Sequence, residues 1–260
     1  MTAPFAALIL AGSRPGSVDP VAAYAGVPHK AMIVVAGTTL LARVAAALRG
    51  AGAGRIAVSA DHPAVLIEAM RLGLEVIPPA PGPSDSVARG LDILGSPLLV
   101  TTADHALLEA EWVARFIADA PPAADVAALL ARRPEVEAAA PDTRRTWLRF
   151  ADGAWSGCNL FWLATPHAAA AIGLWREVEA DRKRPWRIVR RLGPGLLLRY
   201  LTGRLTLATA IRHLGRRAGV EAAVVATPFG LAAVDVDKPA DLDLVRRLVD
   251  RPDPSSPQLC

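Results

Sequence analysis

Carboxylates stand next to two apolar segments of the chain, where they are suited to hold a divalent cation. Asp104 comes two residues after the apolar run 98–102, and Asp235 and Asp237 alternate around the end of the run 232–236. A lone buried carboxylate is costly, and two neighbouring carboxylates repel each other unless a cation lies between them. Because Mg²⁺ prefers oxygen ligands, we expect it to bind Asp104 and one of Asp235 and Asp237; a helix cap is the simpler alternative for Asp104.

A glycine-bearing loop follows the first apolar run, and a lysine follows the polar stretch after it. The loop reads Ala11-Gly12-Ser13-Arg14, and the lysine is Lys30. Backbone N–H groups of such a loop can approach phosphates closely, and Arg14 and Lys30 have the charge to neutralise a triphosphate. Since no Gly-Lys-Ser/Thr is present, this is not a Walker A loop, and an ordinary strand–loop connection stays open as the alternative.

Two short polar segments are further candidates for contact with a ligand. The first contains Ser84 and Ser86. By itself it reads as the capped start of a helix, because Ser84 or Asp85 can accept a backbone N–H. In the second segment, Gly157 lets the chain approach a ligand closely and Asn159 offers both a donor and an acceptor, although a tight turn before a strand is equally consistent.

Secondary-structure elements must place these residues, and their pattern is clear in the first half of the chain. The predicted strands are 5–10, 55–59, 74–77, 98–102 and 126–130, and the predicted helices are 39–49, 63–72, 86–94 and 111–118. Such alternation is typical of a mostly parallel sheet with helices on both faces. Ligands bind at the carboxyl ends of the strands in sheets of this kind, and the candidate residues lie in the loops there.

The second half of the chain is less regular. The predicted strands are 146–150, 159–163, 224–226 and 232–236, the segment 166–217 is mainly helical, and the closing helix is 239–249. We therefore expect an α/β fold with one three-layer α/β/α domain, Rossmann-like in type, over residues 1–250. A helical insertion at about 166–218 and a flexible tail at 251–260 complete the prediction.

Composition limits the class of protein. The chain has 260 residues, of which 52% are hydrophobic and 21% are charged, and this balance excludes an intrinsically disordered chain. Its two cysteines are too few and too far apart for a disulfide scaffold, which indicates a reducing, cytoplasmic location. No apolar run reaches the length that a membrane-spanning helix needs.

A basic segment covers residues 176–217, with twelve arginines and lysines against three acidic residues. Only three of the chain's 29 basic residues are lysines, and one of them, Lys183, lies here between two tryptophans. A solvated helical face, a pocket for an anionic acceptor and a membrane surface all remain open. We expect no nucleic-acid partner, because aromatic residues for base stacking are few.

The opening of the chain carries a family resemblance. The matching residues are Leu10-Ala11-Gly12, Arg14, His29-Lys30-Ala31-Met32 and the run 35–44. Together they resemble the nucleotidyltransferases that include the molybdenum cofactor guanylyltransferases and the methylerythritol phosphate cytidylyltransferases, which have a GT-A-like fold. The resemblance implies that the loop Leu10–Ser13 binds a nucleoside triphosphate and that Arg14 and Lys30 contact its phosphates. Two departures are Ser13, where a second glycine is common, and the unusually long segment 15–29.

Later segments extend this resemblance. It implies that Asp104 and one of Asp235 and Asp237 are the Mg²⁺ ligands of the family. It also implies that the segment of Ser84 and Ser86 contacts the base, with CTP slightly favoured over GTP.

The acceptor side and the reaction follow from the same resemblance. Gly157 and Asn159 resemble the acceptor-binding segment of the family, and Lys183 is a further candidate for holding a phosphate. The expected reaction is Mg²⁺-dependent transfer of a nucleotidyl group to a phosphorylated small-molecule or lipid-linked acceptor, with release of pyrophosphate. The alternatives are a glycosyltransferase that uses a nucleotide sugar, a molybdenum cofactor guanylyl- or cytidylyltransferase, and a non-catalytic nucleotide-binding module.

Overall fold

A computed structural model of the chain describes residues 4–13, 19–180 and 193–250, apart from the side chains of residues 177–180. Three of the sequence predictions fall outside the described residues. They are the phosphate contact of Arg14, the acceptor contact of Lys183 and the tail at 251–260.

The described strands form one eight-stranded sheet and one small hairpin. Their bounds are β1 (Phe5–Leu10), β2 (Val34–Val35), β3 (Thr38–Thr39), β4 (Ala53–Ser59), β5 (Glu75–Ile77), β6 (Leu98–Thr102), β7 (Val126–Arg132), β8 (Leu148–Phe150), β9 (Gly153–Leu163) and β10 (Ala222–Thr227). The order in the sheet is β10-β7-β9-β6-β1-β4-β5, with β8 paired to β9, and β2 and β3 form the hairpin.

Helices connect most of these strands. Their bounds are α1 (Pro20–Tyr24), α2 (Leu40–Gly50), α3 (Pro63–Arg71), α4 (Pro83–Leu94), α5 (Ala110–Asp119), α6 (Arg133–Ala139), α7 (Ala169–Ala180), α8 (Pro194–Leu201), α9 (Leu207–Ala218) and α10 (Pro239–Val249). Within the predicted insertion at 166–218, the described residues form a 3₁₀ turn at Pro166–Ala168 followed by α7, α8 and α9.

The strand β1 shows why helices cover both faces of the sheet. Its side chains alternate between two apolar clusters, so that Ile9 packs in the cluster of Val44 from α2 and Leu8 in the cluster of Val87 from α4. Both Ile9 and Leu8 are fully buried, as expected for a central strand of a parallel sheet. The predicted α/β fold class, with a mostly parallel sheet between helical layers, is confirmed.

Strand direction brings the candidate residues to one edge. The strands β1, β4, β5, β6, β7 and β10 run the same way, and β9 runs antiparallel between β6 and β7. The start of β9 therefore lies beside the end of β7, as the pairing of Trp155 with Arg132 shows. Residues 153–159 thus lie at the same edge of the sheet as the loops that follow β1 and β6.

The predicted strand at 232–236 is wrong. A 3₁₀ turn occupies Gly230–Ala233, and no strand follows it before α10. The turn lies against α6, where a Cβ on Gly230 would overlap the backbone of Glu135. Val234 and Val236 are fully buried, so the apolar pattern at these positions reflects burial in the main apolar cluster and not pairing in the sheet.

Gly90 lies where α4 packs directly on β1. A Cβ at this position would overlap Cδ2 of Leu8, which is fully buried and has little room to move. We expect Gly90→Ala to lower the free energy of unfolding by about 1–3 kcal/mol, the usual cost of overpacking a core. Urea unfolding of the two proteins measures this difference.

The matched control for this variant is Gly173→Ala. Gly173 also lies inside a helix, α7, but a Cβ there meets no atom within 4 Å. In this variant the free energy of unfolding should stay the same or rise by up to about 1 kcal/mol, because helices favour alanine over glycine. An equal loss in the two variants would contradict close packing at Gly90.

Candidate active site

Lys30 and Asp104 form the centre of the candidate site. Lys30 begins a 3₁₀ turn at Lys30–Met32, and Asp104 lies in the loop after β6. The Nζ atom of Lys30 donates to Oδ2 of Asp104 at 2.5 Å and lies 3.4 Å from Oδ1 of Asp237. The hydroxyl of Thr102 donates to the other oxygen of Asp104. The predicted lysine and two of the three predicted carboxylates are therefore brought together.

Lys30 and Asp104 each stabilise the charged form of the other. Burial alone would lower the pKa of Lys30, but the Asp104 carboxylate beside it raises that pKa above its ordinary value. Burial would likewise raise the pKa of Asp104, but Lys30 and the Thr102 hydroxyl hold it below its ordinary value. Both groups are charged at neutral pH, which leaves a compact ammonium fixed at the sheet edge.

Asp235 occupies a second, more buried position in the same region. Its Oδ2 accepts from Nδ2 of Asn159 at 2.6 Å, and its Oδ1 accepts from a guanidinium N–H of Arg145. The side chains of Asp235 and Arg145 are each 9% exposed. Burial raises the pKa of Asp235 to about 6, the carboxylates of Asp237 and Asp104 act in the same direction, and Arg145 opposes them. Asp235 thus joins Arg145 and Asn159 in one buried network.

Asn159 owes its position to an irregularity in β9. Between the pairs Ala128–Phe161 and Leu130–Gly157, β9 has two more residues than β7, which makes a bulge. Asn159 lies in this bulge with a φ of 50°, in the left-handed region that asparagine tolerates better than most residues. The sequence also allowed a tight turn before a strand at this position; the structure has a bulge within β9 instead. Gly157, two residues earlier, is exposed at the same edge.

The loop after β6 and the segment before α10 are tied together. The Val236 N–H donates to the carbonyl of Asp104 at 3.1 Å. Asp241 is buried, and its Oδ2 accepts from the N–H groups of Asp237 at 3.2 Å and Lys238 at 2.9 Å. Asp241 therefore shapes the segment that presents Asp237, besides its favourable place in the first turn of α10.

The loop after β1 lies beside the loop of Asp104. Leu10, the last residue of β1, accepts through its carbonyl from the N–H of Ala103, and Ala11 donates to the carbonyl of Ser59, at 2.9 and 3.0 Å. Gly12 and Ser13 are exposed, and a Cβ on Gly12 would lie 3.7 Å from Pro79. The predicted nucleotide loop is thus next to both the loop of Asp104 and the loop before α4.

Ser86 shapes the loop before α4. Its hydroxyl accepts from the N–H of Ala80 at 2.9 Å and donates to the carbonyl of Gly82 at 3.1 Å. Because α4 begins at Pro83 with Gly82 as its N-cap, the predicted cap by Ser84 or Asp85 is wrong. Ser84 and Ser86 are buried, and contact of this segment with a base stays a prediction.

The donor set fits a divalent cation that is shared with phosphates. Within residues 4–13, 19–180 and 193–250, no cluster of three or more histidine, cysteine, aspartate and glutamate side chains could hold a metal by itself. Asp104 and Asp237 nevertheless direct oxygens at one cation, the ammonium of Lys30. Mg²⁺ in enzymes that act on nucleotides is typically bound by one or two carboxylates together with substrate phosphates.

Sequence reasoning missed two residues of the site. Arg145 pairs with Asp235 and lies in a polar connection between α6 and β8, where no spacing marks it as different from the neighbouring Arg144. Thr102 bonds to Asp104, and its position two residues earlier, at the end of β6, is the one signal that could have indicated it.

His29 caps the turn that carries Lys30, since its Nδ1 accepts from the N–H of Ala31 at 3.0 Å. Burial and the nearby His62 lower the pKa of His29 below its ordinary value of about 6.5. The unfolded chain therefore takes up the proton first, and the stabilisation from the neutral ring is lost as the pH falls through the depressed pKa.

A pH series of urea unfolding tests this role. Between about pH 7.5 and about pH 5, the wild type should lose more stability than His29→Asn, because asparagine keeps an acceptor at the cap but does not titrate in this range. An equal loss of stability in the two proteins would contradict this role of His29.

A fixed ammonium and carboxylates beside a glycine loop, at the carboxyl ends of β1 and β6, are the features of an enzyme that binds nucleotide phosphates. Comparison with known proteins identifies the family. The chain belongs to the family of MobA-like NTP transferase domains, whose model matches residues 7–193. Lys30, Asp104 and Asn159 lie within that span, and Asp235 and Asp237 lie beyond it.

Solved structures agree with this assignment. A hypothetical transferase from Thermus thermophilus is 31% identical, with a TM-score of 0.76 over 92% of this chain and 100% of that one. A CMP:2-keto-3-deoxy-manno-octonic acid synthetase in complex with CTP is 17% identical, with a TM-score of 0.56 over 95% of this chain and 98% of that one. A 2-C-methyl-D-erythritol 4-phosphate cytidylyltransferase, also from Thermus thermophilus, is 19% identical, with a TM-score of 0.51 over 95% and 99%. The last two share the fold with this chain.

No curated protein matches the chain. The family model confirms the resemblance seen in the sequence, and the protein is a nucleotidyltransferase enzyme. Among the helices of the described residues, none is both long enough and apolar enough to span a membrane.

Proposed function

We propose that the protein transfers a nucleotidyl group from a nucleoside triphosphate to the phosphate of an acceptor, with Mg²⁺ as cofactor. The observation that carries this proposal is the ammonium of Lys30 fixed between Asp104 and Asp237, beside the glycine loop after β1. This arrangement offers one cation and a pair of oxygen ligands to the same triphosphate.

The triphosphate binds along the loop Leu10–Ser13. The exposed backbone at Gly12 and Ser13 offers N–H groups to its phosphates, and Arg14 and Lys30 supply the positive charge. When a phosphate oxygen replaces Asp104 as the partner of Lys30, the ammonium stabilises the charge that develops during transfer.

The reaction is a displacement at phosphorus. An oxygen of the acceptor phosphate forms a bond to the α-phosphorus, the bond from that phosphorus to the bridging β-phosphate oxygen breaks, and pyrophosphate leaves with the electron pair. Mg²⁺, when bound, neutralises phosphate charge and favours departure of pyrophosphate. The chain's own part is to orient the two substrates and to hold positive charge at the transferred group.

Asp104 and Asp237 are the residues that would hold Mg²⁺. Both direct an oxygen at Lys30, and Asp237 is exposed to an incoming substrate. Both oxygens of Asp235 are already taken by Arg145 and Asn159, so Asp235 is better suited to fix those two side chains. Of the two carboxylates that the sequence left open, Asp237 is the proposed second ligand.

The base and the acceptor are proposed from the resemblance and from position. The loop before α4, held in shape by Ser86, would contact the base, with CTP favoured over GTP. Gly157 and Asn159 lie at the same edge and would contact a phosphorylated small-molecule or lipid-linked acceptor, with Lys183 as a further ligand. Peripheral membrane contact through residues 176–217 and a cytoplasmic location are part of the same proposal.

Pyrophosphate release is the direct test. CTP, GTP, ATP and UTP are each incubated with Mg²⁺ and a panel of phosphomonoester acceptors, and pyrophosphate is measured together with the nucleotidylated product. The expected result is release with CTP that requires both Mg²⁺ and an acceptor. Sugar transfer from a nucleotide sugar without pyrophosphate release would overturn the proposal.

A substitution at Gly157 tests the acceptor position separately. An added Cβ there meets no atom within 4 Å, so Gly157→Val should fold like the wild type. Valine also suits a strand, and it would obstruct an acceptor that packs on this backbone. We expect KM for the acceptor to rise by about tenfold, equivalent to about 1.4 kcal/mol, with KM for the nucleoside triphosphate little changed. An unchanged acceptor KM would remove Gly157 from the acceptor site.

A further inference from the structure

A basic pocket lies between α8 and α9, apart from the residues proposed above to hold the nucleoside triphosphate, Mg²⁺ and the acceptor. It has a volume of about 530 Å³. Its charged lining consists of Arg199, Arg212 and Arg216, and His213 and Thr209 complete one side. The three arginines are exposed to solvent, and their guanidinium groups around one cavity suit it to a negatively charged ligand.

The segment that forms the pocket carries no negative charge of its own. No acidic residue occurs between positions 193 and 218. Within the described residues, Arg199, Arg212 and Arg216 form no ion pair. The arginine fork matches the oxygens of phosphate, and each such contact is a charge-assisted hydrogen bond.

The backbone at the start of α8 adds donors to the same pocket. Gly193, Pro194 and Gly195 line it together with Leu196. The first N–H groups of a helix have no partner inside the helix; Pro194 has no N–H, so Gly195 and Leu196 carry them here. The absence of side chains at the two glycines leaves this backbone open to a ligand. Gly193 has a φ of 100°, a conformation that other residues rarely adopt, so the backbone at the start of α8 requires glycine at this position.

The pocket is anchored to the edge of the sheet that carries the candidate active site. The N–H of Leu207 at the start of α9 donates to Asp152 at 3.0 Å, and the N–H of Ala151 donates to the carbonyl of Leu205 at 2.8 Å. Residues 151–152 form the turn between β8 and β9, where β7 ends. All the residues of the lining except Gly193 lie beyond the span that the family model matches.

We propose that this pocket is a binding site for the phosphate group of an anionic ligand, held by Arg199, Arg212 and Arg216 and by the N–H groups at the start of α8. The phosphate comes either from a soluble phosphomonoester or from the headgroup of an anionic lipid. Leu198 and Leu201 are exposed on α8, 63% and 72%, and would accompany a lipid headgroup. The site does not depend on the nucleotidyl transfer proposed above.

Two probes and matched variants test the pocket. Calorimetric titration uses glycerol 1-phosphate, and sedimentation uses phosphatidylcholine vesicles with and without phosphatidate. Arg212→Gln and Arg216→Gln, tested singly, should weaken binding of the responsive probe by about tenfold, as expected for loss of one charge-assisted contact. Arg204→Gln removes the same charge from an exposed position outside the lining and should bind like the wild type.

A Gly157→Val background separates the pocket from the acceptor position of the candidate active site. Binding that persists in this background and is weakened by Arg212→Gln supports the proposal, and the responding probe identifies the source of the phosphate. The proposal is overturned if neither probe binds, if the pocket variants bind like the wild type, or if Arg204→Gln weakens binding as much as they do. Thermal unfolding of each variant confirms that it is folded.

Discussion

Lys30→Ala should lower kcat/KM for nucleoside triphosphate turnover by about 10³-fold, the loss typical of removing one well-placed donor to developing charge. Lys30 supplies a fixed ammonium between Asp104 and Asp237, and its pKa is raised, so it is charged throughout the working pH range. Steady-state rates of pyrophosphate release measure the loss. Lys30→Arg keeps the charge but changes its size and reach, and should recover a small part of the rate.

Two controls make the result specific to this position. Arg55→Ala removes a positive charge from an exposed ion pair with Glu75, at the opposite edge of the sheet, and should leave the rate unchanged. Thermal unfolding shows whether Lys30→Ala is folded, since its loss leaves Asp104 without its cation. A folded Lys30→Ala variant with wild-type kcat/KM would exclude Lys30 from the chemistry.

Much of this site could be predicted because the pattern of apolar residues shows where the strands end. The strand at 98–102 has the predicted bounds, and the one predicted at 126–130 extends two residues further. Buried parallel strands are short apolar runs, and the loops after them meet at one edge. Once the runs are located, the proximity of the loop after β1 to Asp104 follows from topology. The position of Lys30, 74 residues from Asp104 in the chain, is expected from its charge and from the family resemblance.

The remainder could not be predicted because it depends on irregular backbone. The strand expected at 232–236 is a 3₁₀ turn, and its apolar residues are buried without pairing in the sheet. Asn159 reaches Asp235 because a bulge in β9 places it in a left-handed conformation, and neither the bulge nor its position has a sequence pattern of its own. Arg145 contacts Asp235 from a connection without regular structure, so periodicity carries no information about it.

Arg145→Met should lower the free energy of unfolding by about 3–5 kcal/mol, the usual cost of leaving one partner of a buried ion pair uncompensated. Both side chains are almost wholly buried, and Asp235 would keep only the amide of Asn159 as a hydrogen-bond donor. Urea unfolding at neutral pH measures the loss. Arg144→Met is the matched control: Arg144 is the preceding residue and is exposed, so its replacement should change stability by no more than about 0.5 kcal/mol.

The double variant Arg145→Met with Asp235→Asn decides whether the loss comes from the buried charge. Asparagine removes the charge that Arg145 compensates, so the double variant should recover most of the stability that Arg145→Met loses. If the double variant is as unstable as Arg145→Met alone, the loss comes from packing of the arginine side chain and not from its pairing with Asp235. Recovery of stability without recovery of turnover would show that the Arg145–Asp235 pair serves the reaction beyond holding the fold, by keeping Asn159 in place at the acceptor edge.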